Sequence, residues 1–124
     1  SGPYVQNAHV RLCSILRKAG LPLSGDAPSL DAVRWEALAG TEAFAVADLM
    51  AQFPERVAAS AQTRDPCTLA QFALSLADAT HRFLHTNRVL GSEHERELLL
   101  MVRAARGVLA EALELIGVPA IERM

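Results

Sequence analysis

Histidine is the residue type in this chain whose spacing comes nearest to a chemical site. Two of the four histidines, His81 and His85, are one helical turn apart, and two metal ligands on a helix can have this spacing. The residues between them are Arg82, Phe83 and Leu84, so the His-Glu-x-x-His signature of zinc enzymes is absent. The sequence indicates no third ligand. We therefore expect neither a metal nor a cofactor in this domain.

Carboxylates, glycine loops and cysteines offer no better candidate for catalysis. The acidic residues at 93, 95 and 97 would lie in the first turn of a helix, where they complement the helix dipole. No phosphate-binding glycine loop and no nucleophile elbow are present. Cys13 and Cys67 lack Cys-x-x-Cys spacing, which is typical of reduced thiols in a cytosolic protein. We expect no catalytic residue in this chain.

Arginine remains as a candidate for binding a ligand, because arginines mark the polar faces of the predicted helices. They are Arg11 and Arg17 on the first helix, Arg82 and Arg88 on and after the penultimate helix, Arg96, Arg103 and Arg106 on the last helix, and Arg123 in the tail. Asp78 precedes Arg82 by one turn, a spacing suited to an internal ion pair worth a few tenths of a kcal/mol. Residue types alone leave two interpretations open, a solvated face and a contact patch.

The overall charge restricts what such a patch could bind. Lys and Arg number 12 against 14 Asp and Glu, which gives a formal net charge of −2. A protein that binds nucleic acid non-specifically is usually basic overall. Any RNA contact would therefore depend on a local group of arginines.

Composition favours a helical protein. Of the 124 residues, 51% are apolar but only 5% are aromatic, and no segment of useful length alternates polar and apolar residues. We predict one all-α domain, residues 1–124, built as a bundle of five to six helices. Without a signal peptide or an apolar run long enough to span a membrane, we expect a cytoplasmic protein with no membrane partner.

The last half of the chain is predicted to organise the bundle as an antiparallel pair of long helices. Asp65 is a natural N-cap, Pro66 suits the first helical position, and the apolar stripe of this helix continues to Leu90. Ser92 and Glu95 have capping-box spacing and should start the second long helix.

The second long helix should end at Gly117, with Pro119 beyond it. Upstream, the predicted helices are 3–19, a short one within 29–40, 41–52 and 55–62. Pro54 is the reason for dividing the last two, since a proline inside a helix removes a hydrogen bond and clashes with the preceding turn. The stretch 21–40 is the least determined part of the chain.

Several blocks of the sequence resemble one known family. Gly2-Pro3-Tyr4-Val5-Gln6-Asn7-Ala8-His9-Val10-Arg11 is similar to the motif that opens the anticodon-binding domain of arginyl-tRNA synthetases. The blocks 14–20, 52–55 and 88–91 resemble later parts of that domain, and the terminal Glu122-Arg123-Met124 resembles its end. Apart from about 21–40, the resemblance covers the whole chain, and the order of the blocks makes it specific.

The resemblance implies a DALR-type helical bundle that grips the anticodon stem-loop of tRNA(Arg) between the first helix, the long hairpin and the tail. Loop bases can be stacked on rings or guanidinium planes, and arginines on phosphates add salt-sensitive affinity. By position, Tyr4 would be the stacking ring, Arg11 and Arg88 motif arginines, and Met124 the terminal residue near the anticodon. The expected RNA-binding residues are Tyr4, Asn7, Arg11, Arg82, Arg88, Arg123 and Met124.

Two departures from the family keep a second function open. Asn7 stands where the family has a tyrosine, and Leu84 replaces the tyrosine of a Phe-Tyr pair. Each change removes a ring, and a stacked base is worth roughly 1–3 kcal/mol. The chain is therefore either the C-terminal domain of a synthetase, with a catalytic domain upstream, or a free-standing helical module that has lost or changed tRNA recognition and pairs with itself or with a synthetase-like partner.

Overall fold

The computed structural model describes residues 2–124, which form four α-helices and one short 3₁₀ helix. The α-helices are Gly2–Lys18 (α1), Thr41–Thr63 (α2), Pro66–Thr86 (α3) and Glu95–Leu115 (α4), and the 3₁₀ helix is Trp35–Leu38. The predicted all-α class is confirmed. The predicted count of five to six helices is wrong.

The miscount comes mainly from α2, which continues through Pro54 as one helix. Val46 and Phe53 are buried on its inner face, and Val57 packs against the core one turn later. Burial of this continuous stripe holds both halves in one helical register, although Pro54 leaves the carbonyl of Met50 without its usual donor. Tertiary packing therefore outweighs the local signal.

Both ends of α1 are close to the prediction. Gly20 adopts the left-handed region at φ 75°, and the Leu21 N–H donates to the Leu16 carbonyl at 2.9 Å. The Gly20 N–H donates to the Arg17 carbonyl at 3.0 Å, which completes the hydrogen-bond pattern of a glycine-terminated helix.

The start of α3 is as predicted but its end is not. The Asp65 carboxylate accepts from the Cys67 N–H at 2.9 Å, which confirms Asp65 as the N-cap. The helix ends at Thr86 rather than near Leu90, because Asn87 is extended and its side-chain amide donates to the Phe83 carbonyl at 3.1 Å.

The predicted capping box of α4 is wrong. The Ser92 hydroxyl donates to the Val89 carbonyl at 3.0 Å and does not cap the helix. Glu95 does reach back, but its carboxylate accepts from the Gly91 N–H at 2.9 Å. The turn is thus closed around Gly91, whose φ of 81° allows it.

The core lies around α3, which packs against each of the other three α-helices. Its central side chains, among them Leu76 and Phe83, are almost fully buried together with Leu12 of α1 and Leu109 of α4. None of the helices in residues 2–124 combines the length and the hydropathy needed to cross a bilayer.

The segment 21–34 is attached to α4 by arginines that the sequence left as candidate contacts. Arg96 donates to the Asp31 carbonyl at 2.6 Å, and Arg103 donates to the Asp26 carbonyl at 2.6 Å. In return, the buried Glu97 carboxylate of α4 accepts from the Arg34 N–H at 3.1 Å. Arg96 and Arg103 therefore stabilise the protein itself.

Candidate nucleic-acid interface

Tyr4 lies on the exposed side of α1 and is held by α3. Its hydroxyl donates to the Asp78 carboxylate at 2.6 Å, and its ring centroid is 4.9 Å from that of His81, with the planes tilted by 51°. The hydrogen bond to Asp78 raises the pKa of Tyr4 above 10.0. The ring is 38% exposed, so it is fixed in orientation but still accessible for stacking.

Arg11, two helical turns beyond Tyr4 on the α1 surface, contacts the same histidine. Its Nη1 donates to His81 Nδ1 at 2.7 Å. Because a guanidinium can only donate, Nδ1 of His81 must be the unprotonated acceptor. Burial, together with the charge of Arg11, lowers the pKa of His81 below 6.5. His81 is thus a neutral ring that joins Tyr4 to Arg11.

Arg82 joins Arg11 in a shallow groove of about 520 Å³ between α1, α2 and α3. The groove is lined by Arg11, Glu42, His81, Arg82, His85 and Thr86. Two guanidinium groups face one carboxylate there, so the groove has a positive balance suited to a phosphate. Asp78 accepts the hydrogen bond from the Tyr4 hydroxyl, and within residues 2–124 no salt bridge forms between Asp78 and Arg82.

Asn7 and Arg88 are both exposed, and neither is among the residues that line this groove. Asn7 is one turn from Tyr4 and one turn from Arg11, so the three side chains share a face of α1. Arg88 lies in the turn between α3 and α4, where its Nε donates to the Leu90 carbonyl at 3.2 Å. Within residues 2–124, no hydrogen bond or salt bridge joins Arg88 to the other predicted RNA-binding residues.

The C-terminal tail, residues 118–124, follows the opposite edge of α1. Three α1 side chains donate to its backbone carbonyls: Gln6 to Pro119 at 3.0 Å, His9 to Ile121 at 2.7 Å and Arg17 to Glu122 at 3.1 Å. The last two residues, Arg123 and Met124, remain exposed, with Met124 at 70%. The exposed face of α1 therefore lies between Tyr4 and Arg11 on one side and the tail on the other.

Sequence reasoning missed the residues that hold these groups. His81 was considered only for its spacing to His85, and His9 only as part of a motif. Their partners are distant in the chain, since Arg11 and His81 are 70 positions apart and His9 and Ile121 are 112 apart. No periodicity in the sequence signals such pairs.

Position 84, where the family has a tyrosine and this chain has leucine, is half-buried. Leu84 packs against the core, and Asn7 is exposed. Another groove, about 860 Å³, lies between the 21–38 segment and α4. It is mainly apolar and includes none of the seven predicted RNA-binding residues. The α1 edge is better suited to RNA, because charged and aromatic side chains converge there.

Comparison with known proteins agrees with this architecture. The model of the DALR anticodon binding domain matches residues 5–124. Arginine–tRNA ligases of Limosilactobacillus fermentum and Streptococcus thermophilus are similar to the chain, at 37% identity over 126 residues and 38% over 125. Each comparison covers 100% of this chain and 21% of the relative.

A solved structure gives the same result. The arginyl-tRNA synthetase of Thermus thermophilus superimposes with a TM-score of 0.80 at 38% identity, over 100% of this chain and 21% of that one. The chain thus spans about a fifth of the length of the relatives that it matches. From the match over residues 5–124 and the shared helical architecture, the chain belongs to the DALR anticodon binding domain family.

Proposed function

We propose that this chain binds the anticodon stem-loop of tRNA(Arg) as the non-catalytic C-terminal domain of an arginyl-tRNA synthetase. Membership of the DALR family and the similarity to arginine–tRNA ligases support the proposal. The single observation that carries it is the edge of α1, where Tyr4 and Arg11 meet at His81 beside the groove that Arg82 lines.

Each group on this edge suits one part of a nucleotide loop. The Tyr4 ring is held in place and accessible, so an unstacked base can pack on its face. Arg11 and Arg82 can donate to a phosphate, and Asn7 can both donate to and accept from a base edge. Arg123 and Met124 extend the surface on the far side of α1, and Arg88 would add a contact from the turn after α3.

In this proposal the chemistry belongs to a catalytic domain outside residues 1–124. The relatives are about five times as long as this chain, which leaves ample length for such a domain. The chain's own part is to bind and orient the RNA.

Binding of a fluorescent tRNA(Arg) anticodon stem-loop, measured by anisotropy over a salt series, tests the proposal. We expect Arg88→Ala, and separately deletion of Arg123 and Met124, to weaken binding by roughly ten- to hundredfold, since a charge-assisted hydrogen bond contributes about 1.5–3 kcal/mol. The deletion leaves the α1 contacts of the tail intact, because the last of them is to Glu122. Affinity should fall as salt rises.

Arg56→Ala is the matched control, because Arg56 is exposed on α2 and donates only to Gln52, at 3.1 Å, among the hydrogen bonds of the described chain. Equal affinity of the wild type and both test variants would contradict the proposed contacts.

The absent rings at Asn7 and Leu84 favour the alternative of a helical module without RNA binding. That function predicts a stable dimer in light scattering and no stem-loop binding even at low salt. A monomer that binds RNA would exclude it.

A further inference from the structure

The C-terminal tail is held on α1 through its backbone carbonyls, while the side chains of Val118 and Ala120 pack against the core. Its carbonyls at Pro119, Ile121 and Glu122 accept from Gln6, His9 and Arg17 in the same order along both segments. The tail therefore runs alongside α1 and in the same direction. This seat determines where Arg123 and Met124 emerge.

His9 is the central and the only fully buried member of this seat. Its Nδ1 donates to the Ile121 carbonyl at 2.7 Å, which requires a proton on Nδ1. Its Nε2 is 3.3 Å from Nη1 of Arg106 on α4 and must therefore accept. One neutral imidazole thus links the tail, α1 and α4.

We propose that His9 is a positioning residue, which holds the tail at Ile121 so that Arg123 and Met124 extend beside the exposed face of α1. The effect of His9 on RNA binding rests on the proposed function, whereas its effect on the order of the tail does not. His9 is too deeply buried to touch a ligand, so it acts through Ile121.

The link of His9 to α4 should also respond to pH. The charged and titratable groups around His9 are Arg106 from α4, Glu122 from the tail, and Cys13 and Arg17 from α1. A second proton on the ring would place an Nε2–H against the Arg106 guanidinium and remove the acceptor, but it keeps the Nδ1–H that donates to Ile121. We expect the contact with Arg106 to be lost as pH falls, while the tail stays bonded to His9.

A pair of substitutions separates the two ring nitrogens. The amide nitrogen of Asn corresponds in reach to Nδ1, so His9→Asn can keep the bond to Ile121. The amide of Gln corresponds to Nε2, so His9→Gln can keep only the contact with Arg106. Amide ¹⁵N relaxation of residues 120–124 and digestion by carboxypeptidase Y report tail order, and His94→Asn is the matched histidine control.

We expect carboxypeptidase to digest the chain beyond Arg123 about five- to tenfold faster in His9→Gln than in the wild type. One lost hydrogen bond raises the population with a detached tail by about that factor. His9→Asn should stay within about twofold of the wild type. Equal tail order in all three proteins, or equal loosening by both substitutions, would overturn the proposal.

A further variant covers the case in which the buried substitutions prevent folding. Gln6→Ala with Arg17→Met removes the two outer donors from partly exposed positions and leaves the bond from His9 to Ile121 in place. We expect residues 120 and 121 to stay ordered in this variant; loss of their order would mean that the outer donors, rather than His9, hold the tail. Stem-loop affinity is measured in parallel: absence of RNA binding in the wild type would refute the proposed function, while the relaxation data still decide the role of His9.

Discussion

Two histidines of this protein have the same relation to an arginine. His81 accepts from Arg11 through Nδ1, and His9 accepts from Arg106 through Nε2. In both cases the unprotonated ring nitrogen accepts a hydrogen bond from a guanidinium, which can only donate. The ring must therefore stay neutral. Each neutral ring then fixes a second group, the Tyr4 ring in one case and the Ile121 carbonyl in the other.

Tyr4 offers a residue-scale test that separates its hydroxyl from its ring. Tyr4→Phe removes the donor to Asp78, and we expect the free energy of unfolding to fall by about 0.5–1.5 kcal/mol while stem-loop affinity is kept. Tyr4→Ala removes the stacking face and should weaken binding by about 1–3 kcal/mol. Urea unfolding and anisotropy measure the two effects. Equal loss of affinity in Phe and Ala variants would mean that the ring does not stack on RNA.

At this scale the sequence predicted residue types better than their partners. Tyr4 and Arg11 were identified from the motif that they belong to, and the structure gives both of them an exposed position at one groove edge. Their shared partner His81 was not identified, because a hydrogen bond across 70 positions has no periodic signature.

At the scale of the element, α2 shows why helix boundaries were the weakest prediction. A proline normally ends a helix, yet Pro54 lies inside Thr41–Thr63. By local propensity alone, the hydrogen bond lost at the proline is enough to end the helix. In the folded protein, burial of the whole inner face, including Phe53 and Val57, outweighs this loss. Asp65 at α3 was predicted correctly because a cap is a local interaction with the Cys67 N–H.

The cost of that proline can be measured. Pro54→Ala restores an N–H to the helix interior, and we expect the free energy of unfolding to rise by about 2–3 kcal/mol. Urea unfolding measures the change, and Ala58→Gly, an exposed substitution in the same helix, should lower stability by about 1 kcal/mol as a control of opposite sign. A decrease for Pro54→Ala would mean that the proline is required in α2.

At the scale of the whole molecule, a formal charge of −2 is compatible with an RNA-binding edge because the arginines are divided between two tasks. Arg96, Arg103 and Arg106 donate within the protein, to carbonyls of the 21–34 segment and to His9. Arg11 and Arg82 line the groove. Composition alone could not separate these tasks, because they depend on where the 21–34 segment lies.

The pH dependence of stability should reflect the same interactions. Burial lowers the pKa of His9 and His81 below 6.5, and the Arg34 N–H lowers the pKa of Glu97 below 4.5. A group whose pKa is lower in the folded state loses its stabilising contribution as pH falls. We expect the free energy of unfolding to fall first below pH 6.5, by at most about 1.4 kcal/mol per pH unit for each histidine, and again below pH 4.5.

Urea unfolding at a series of pH values measures this profile. Glu97→Gln should remove the step in the acid range and leave the histidine step unchanged. A profile that is flat from pH 7.5 to 5 would contradict the neutral state of both histidines.

The carbonyl seat of the tail has a consequence for how the sequence can diverge. Every residue type, proline included, has a backbone carbonyl oxygen, so the exposed residues 119 and 122 can exchange their side chains without losing their hold on α1. The constraint falls instead on the three donors of the helix. Substitution of Arg123 or Met124 would then change which nucleotide the terminus contacts, while the attachment of the tail to α1 is unchanged.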